Sequence, residues 1–242
     1  HVLRLILDRI DNASDGQMLK DLYAEIPESH VQYAKECAKC LGKTVYSQVP
    51  FYNDECTPQI PSCKESDDKL YELVLNRTWR PQLSITGIDG MPDLKGGNVL
   101  RKYTTIKLSV RIPPSMDPAH AQAALKKACE AKPTPFGANV ECTVSSHAGA
   151  GFVCPEFEPW LYSAMQAASK TYFGKEAQFT GEGGSIPFMG QLQRKFTKSQ
   201  FVITGILGPN SNAHGPNEFL HIPYTKKVIC CIASLLFDIG QN

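Results

Sequence analysis

The sequence predicts an α+β part, an antiparallel sheet covered by helices, followed by an α/β part. Two segments near its middle, 82–87 and 103–112, alternate apolar and polar residues as strands do, and helical patterns flank them. Beyond residue 155, helical patterns alternate with short apolar strands. The Gly- and Ala-containing stretch 145–155 between them is the best candidate for a domain boundary.

The helices of the first part follow from apolar periodicity and from stop and start signals. Pro27 interrupts one of them, because proline does not fit a helix interior, and Asp117 with Pro118 opens another as N-cap and first turn. The segment 44–64 is rich in Pro, Asn and Cys and indicates a loop. The predicted helices are 2–10, 17–41, 67–77 and 119–131.

A third strand at 138–145 ends this part, so the set lacks one strand of the expected sheet. The second part has the predicted helices 159–172, 186–196 and 224–237, with strands at 177–180 and 201–206. Two strands cannot close a doubly wound sheet. We therefore expect the second part to be the end of a larger domain.

Composition excludes several classes of function. The chain has 242 residues with 25 Lys+Arg against 24 Asp+Glu, and this balance argues against binding to nucleic acid or to an acidic membrane. It contains no run of about 18 apolar residues, so we expect a soluble protein. The hydrophobic fraction of 42% is enough for a folded core.

The nine cysteines favour a reducing compartment, and hence a cytoplasmic protein. Cys129, Cys142 and Cys230 lie in apolar periodic segments, as small buried side chains do. Glycosylation sequons at Asn12 and Asn76 point weakly the other way.

A cluster of four cysteines offers a separate hypothesis, a structural zinc site. Such sites usually use two close pairs of ligands, and the second pair here is separated by six residues, a poor match. The four are Cys37, Cys40, Cys56 and Cys63.

Two loops that follow predicted strands are candidate binding segments. The loop 207–218 contains His214, whose imidazole would suit zinc; the alternative is a solvated histidine, with Glu218 capping the last helix. The loop 181–187 contains Gly183, Gly184 and Ser185, where free amides would suit a carboxylate; the alternative is an ordinary turn capped by Ser185.

Arg111 ends a strand whose other face is apolar. Its guanidinium could fork onto a substrate carboxylate, and the alternative is a solvated or ion-paired arginine.

Three ordered motifs carry a resemblance to one family. They are Leu-Ser-Val-Arg-Ile-Pro at 108–113, Gly-Gly-Ser-Ile-Pro at 183–187 and Asn-Ala-His-Gly-Pro-Asn-Glu at 212–218. In these the chain resembles the di-zinc exopeptidases of the aminoacylase, carnosine dipeptidase and carboxypeptidase-G group, closest to the cytosolic dipeptidase branch. The likeness is weakest over 12–66.

The resemblance implies a lid and dimerisation domain at 1–147 and the C-terminal part of a zinc-exopeptidase catalytic domain at 148–242. His214 would be the last zinc ligand, and Arg111 would grip the substrate's C-terminal carboxylate. Gly183, Gly184 and Ser185 would hold the same end of the substrate, and Asn98, in a looser match, would lie near it. The cofactor implied is zinc, two ions in a complete site, with manganese as an alternative.

The general base and the other zinc ligands of such enzymes lie upstream of His1, so the chain alone is expected to be inactive. The function expected of a longer protein is metal-dependent hydrolysis of dipeptides or related amides with a free C-terminus, by a homodimer paired through the lid. Alternatively, the chain is a catalytically dead dimerisation module or truncated paralogue.

Overall fold

The computed structural model describes residues 1–47, 69–146, 148–183, 186–208 and 210–240. The chain forms two compact units. The first comprises His1–Val153 and Thr180–Lys195, and the second comprises Cys154–Phe179 and Phe196–Asn242. The domain division at 147/148 stays a prediction.

The predicted helices are present, except that 17–26 is wrong as helix: it holds an isolated bridge at Met18 and one 3-10 turn. Their bounds, in chain order, are α1 Val2–Leu7, α2 Glu28–Leu41, α3 Thr44–Ser47, α4 Leu70–Thr78, α5 Pro118–Glu130, α6 Pro159–Phe173, α7 Pro187–Lys195 and α8 Ile222–Ile239. Pro27 is the N-cap of α2, so a helix boundary lies at the proline as predicted, but only a 3-10 turn at Lys20–Leu22 precedes it. Residues 44–47, which were expected to begin a loop, form the short helix α3 instead. Residues 48–64 of the expected loop lie outside the described residues.

Capping explains where α5 and α8 begin. The Asp117 carboxylate accepts a hydrogen bond of 3.1 Å from the backbone N–H of Ala119, which confirms the predicted N-cap of α5. At α8 the cap is the His221 imidazole, whose Nδ1 accepts from the N–H of Tyr224 at 3.1 Å. Glu218 therefore does not cap the last helix.

Strands β1, Gln82–Asp89, and β2, Thr105–Arg111, form an antiparallel pair in the first unit. The register pairs Gln82 with Arg111 and Asp89 with Thr105, with an irregularity between Ile85 and Gly87. Along β2 partly buried and exposed residues alternate, so the face predicted for Ile106, Leu108 and Val110 is confirmed.

The other three predicted strands are wrong as strands in the described part of the chain, since 138–145, 177–180 and 201–206 join no ladder there. A strand exists only through hydrogen bonds to a neighbour, and apolar patterning alone does not provide one. Side chains of α5 instead bind the backbone of 142–145: Gln122 Nε2 donates to the Ser145 carbonyl at 2.7 Å and Lys126 Nζ to the Cys142 carbonyl at 2.8 Å.

Two apolar clusters form the core of the first unit. In one, Ile6 of α1 and Ala121 and Cys129 of α5 are buried together with Ile10 and Leu22 from the segment after α1, and Leu108 and Val110 of β2 pack against them. In the other, α2 packs on α4; its buried residues are Ala34, Ala38, Leu70, Val74, Leu75 and Trp79.

In the second unit α6 packs on α8 through Leu161, Met165 and Leu235. The Tyr172 and Ser234 hydroxyls share a hydrogen bond of 3.1 Å across the same helix pair. Among the described residues, no helix is both long enough and apolar enough to cross a bilayer.

Candidate substrate-binding and metal-binding residues

Arg111 lies at the last position of β2 and faces away from the apolar core. The period of two along the strand places its side chain on the exposed face, opposite Val110. Pro113 is fully buried two residues after the strand end, and since proline has no backbone N–H it cannot extend the ladder. The guanidinium is therefore held at the sheet edge by a buried strand end.

The Arg111 guanidinium meets the predicted glycine loop. Its Nη1 donates a hydrogen bond to the carbonyl oxygen of Gly183. Arginine has five N–H donors, and this bond uses one of them. Two of the predicted substrate-binding residues, distant in sequence, are thus brought together within one compact unit.

The glycines of this loop are required by their close approach to α4. A Cβ on Gly181 would lie 2.9 Å from the Thr78 Cβ, and a Cβ on Gly183 would lie 3.1 Å from the carbonyl oxygen of Arg77. The loop backbone therefore rests on the last turn of α4, where a larger side chain does not fit. Gly184 and Ser185 lie outside the described residues.

Asn98 lies in the exposed connection between β1 and β2. Hydrogen bonds from the Gly96 N–H to the Asp93 carbonyl at 3.0 Å and from the Val99 N–H to the Gly97 carbonyl at 2.9 Å make a tight turn around it. The turn presents Asn98 to solvent, and its predicted role near the substrate stays a prediction.

His214 occupies a tight loop in the second unit. Its φ of 60° is in the left-handed region, as are the φ angles of Asn210, Asn212 and Asn217. Its N–H donates to Glu218 Oε2 at 3.3 Å, and the N–H of Phe219 donates to the carbonyl of buried Ser211 at 3.1 Å, which closes the loop. The imidazole is exposed, so a ligand can reach it.

A complete metal centre does not fit the described part of the chain. No three or more His, Cys, Asp or Glu side chains come together there in a way that could hold an ion. A zinc or manganese site needs three or four protein ligands, and His214 supplies one. A zinc site at the four cysteines stays untested, because Cys56 and Cys63 lie outside the described residues.

Cys37 belongs to that cysteine hypothesis and is buried in α2. Burial raises the pKa of its thiol, against the opposing effect of a hydrogen bond with Thr180.

The chain matches no protein-family model. It is 30% identical over 182 residues to the Cys-Gly metallodipeptidase DUG1 of Saccharomyces cerevisiae, which covers 74% of this chain and 37% of that protein. It is 23% identical over 176 residues to the cysteinylglycine-S-conjugate dipeptidase of Corynebacterium striatum, covering 72% of this chain and 37% of the relative. The chain thus spans a little over a third of each relative's length.

Solved structures share the fold. Yeast Dug1p matches with a TM-score of 0.64 and 24% identity, over 100% of this chain and 48% of its own. Human carnosine dipeptidase 1 matches with a TM-score of 0.65 and 18% identity, over 100% of this chain and 49% of its own. The M20 family metallo-carboxypeptidase Sso-CP2 of Sulfolobus solfataricus matches with a TM-score of 0.68 and 20% identity, over 98% of this chain and 52% of its own. At these identities the likeness establishes the fold.

Proposed function

We propose that this chain, whose homologues are metallodipeptidases, is the C-terminal part of a longer enzyme that hydrolyses dipeptides or related amides with a free C-terminal carboxylate. The observation that carries the proposal is the contact between Arg111 and Gly183. It supports a role for this corner of the first unit in holding an anionic group.

The chemistry expected at Arg111 is recognition rather than bond cleavage. A guanidinium binds a carboxylate through two parallel N–H bonds, and the contact to Gly183 fixes the orientation of the planar group. Backbone amides of the neighbouring glycine loop would hold the same anion, and at Gly183 the anion would replace the Glu182 carboxylate that its N–H now binds at 3.1 Å. This arrangement would select peptides whose terminal carboxylate is free.

Metal chemistry enters the proposal only through His214. We propose that it supplies one zinc ligand, the remaining ligands and the general base coming from residues outside this sequence; a bound metal would polarise the scissile carbonyl and activate water. Since the described residues do not form a metal centre, we assign no catalytic step to them. We further propose a cytoplasmic homodimer joined through the first part of the chain.

The test uses the longest natural polypeptide that contains this sequence, with a dipeptide and its C-terminal amide as substrates. The enzyme should prefer the free carboxylate, and Arg111→Met should abolish most of that preference. The expected loss in kcat/KM is roughly 30- to 1000-fold, for about 2–4 kcal/mol of a charge-assisted contact that the bound substrate would shield from water. Arg101→Met, at an exposed loop arginine, is the matched control.

The 242-residue chain, assayed alone with zinc, separates the proposal from its alternative. Turnover by this chain alone would contradict its role as part of a larger active site. If the longer polypeptide is also inactive while the chain forms a monodisperse dimer on size exclusion, the catalytically dead dimerisation module is correct. Equal activity of the Arg111→Met and Arg101→Met variants would remove the carboxylate role of Arg111.

A further inference from the structure

Two cysteines lie close together in the first unit, one at the end of α5 and one in the segment that follows it. Cys129 lies in the last turn of α5 and is 7% exposed, within the cluster that covers the sheet. Cys142 is half-buried and packs against the same cluster. Both are free thiols, and both belong to this one cluster.

The backbone at Cys142 is fixed on both sides by α5. Its N–H donates to Glu130 Oε1 at 2.8 Å, and its carbonyl accepts from Lys126 Nζ at 2.8 Å. Lys126 and Glu130 are themselves ion-paired at 2.7 Å. Since the two lie four residues apart, both extend from one face of the helix, and they hold Cys142 against the turn that carries Cys129.

We propose that Cys129 and Cys142 form a redox modification site, at which a low-molecular-weight disulfide oxidises the two thiols to an intramolecular disulfide. The support is the pre-set proximity of the two thiols and the fixed backbone, because a disulfide forms only where the two side chains already meet.

Glutathione disulfide serves as the oxidant. The Cys142 thiolate attacks one of its sulfurs, which breaks the S–S bond, forms a mixed disulfide and releases one glutathione. Cys129 then attacks the Cys142 sulfur and displaces the second glutathione. Two electrons pass from the protein thiols to the oxidant, and the two thiol protons end on the two released glutathiones.

We expect the second step to set the rate. Burial, followed by the charge and hydrogen bond of Cys142, raises the pKa of the Cys129 thiol to about 12. Little Cys129 is therefore thiolate at neutral pH, and closure should accelerate as the pH rises. The half-buried Cys142 is the sulfur that the oxidant reaches first.

The test incubates the folded 242-residue chain with glutathione disulfide at pH 8 and maps its thiols. After alkylation under denaturing conditions, digestion by trypsin and glutamyl endopeptidase should yield peptide 128–130 disulfide-linked to peptide 142–156. Thiol titration of the unfolded product should give two fewer thiols than the nine of the reduced chain. Because peptide 142–156 also contains Cys154, the Cys154→Ser variant is the matched control and should form the same link.

The Cys142→Ser variant should lose the linked peptide and keep Cys129 reduced. The proposal fails if Cys129 and Cys142 are recovered as thiols under conditions that glutathionylate the exposed Cys40. It also fails if Cys142 pairs with Cys154. Mapping the unsubstituted chain decides between these outcomes, whether or not the serine variants fold.

Discussion

The Arg111 guanidinium donates a hydrogen bond to the carbonyl of Gly183, which joins the end of β2 to a loop 72 residues further along the chain. The loop in turn rests on the last turn of α4. The position of the arginine therefore depends on the packing of a helix that precedes the sheet in sequence.

Gly181→Ala should disturb this packing. The new Cβ would lie 2.9 Å from the Cβ and 3.1 Å from the Cγ2 of Thr78, whose hydroxyl donates to the Val74 carbonyl at 2.8 Å. A β-branched side chain fixed in this way does not turn aside, so we expect a loss of about 1–3 kcal/mol in the free energy of unfolding. Urea denaturation measures it. Gly97→Ala, with nothing within 4 Å of its Cβ, is the control, and equal stabilities of the two variants would contradict the contact.

Arg9→Met should loosen the end of α5. The Arg9 guanidinium donates to the carbonyls of Ala131 at 2.8 Å and Pro133 at 3.0 Å, beyond the last turn, where carbonyls lack helical partners. The half-exposed site limits the expected loss to about 1–2 kcal/mol. Thermal unfolding of Arg9→Met and of Arg4→Met, a change at an exposed arginine of α1, compares the two losses of stability. A smaller loss at Arg9 than at Arg4 would contradict the stabilising role of the Arg9 hydrogen bonds.

Leu70→Ala should be the most damaging of these substitutions. Leu70 is the first residue of α4, is 1% exposed, and lies in the cluster where α4 packs on α2. Truncation removes apolar contacts and leaves a cavity, which typically costs about 2–5 kcal/mol. The control is Leu94→Ala, the same substitution at a leucine that is 106% exposed, and it should change stability little. Denaturation midpoints compare the two.

Glu130 should make stability depend on pH in the acid range. The hydrogen bond from Lys126, followed by that from the Cys142 N–H, lowers the pKa of its carboxyl below the ordinary value of 4.5. A lowered folded-state pKa contributes stability above the unfolded pKa, and this contribution is lost as the pH falls through the folded value. Glu130→Gln should thus reduce the melting temperature at pH 7 and have no such effect at low pH. Glu141→Gln, at an exposed neighbour, should show no comparable difference; a pH-independent effect at Glu130 would contradict this assignment.

Local patterns predicted the elements that depend on local chemistry. The alternation along β2, the N-cap at Asp117 and the interruption at Pro27 each act within a few residues, and each is confirmed. The motifs also selected Arg111 and Gly183 separately. Their contact was not predictable from spacing, because it depends on how the loop packs against α4.

The errors have a common physical origin. The segment 138–145 has a strand's alternation, yet α5 side chains satisfy backbone groups at 142 and 145 that a neighbouring strand would bind. At α8, the alternative in which Glu218 caps the helix is wrong, because its carboxylate accepts from the His214 N–H and the His221 imidazole is the cap. In both cases a nearby side chain competes with the expected partner.

The left-handed backbone at His214 makes that position informative in a saturation mutational scan. Asn and Gly adopt a φ of 60° readily, whereas Val, Ile and Thr pay a steric penalty there. Cellular abundance should therefore tolerate His214→Asn and His214→Gly and select against the β-branched replacements. If the imidazole also binds metal, growth that depends on the proposed peptidase activity should reject all of them alike. The divergence between the two selections would then separate the shape of this loop from its chemistry.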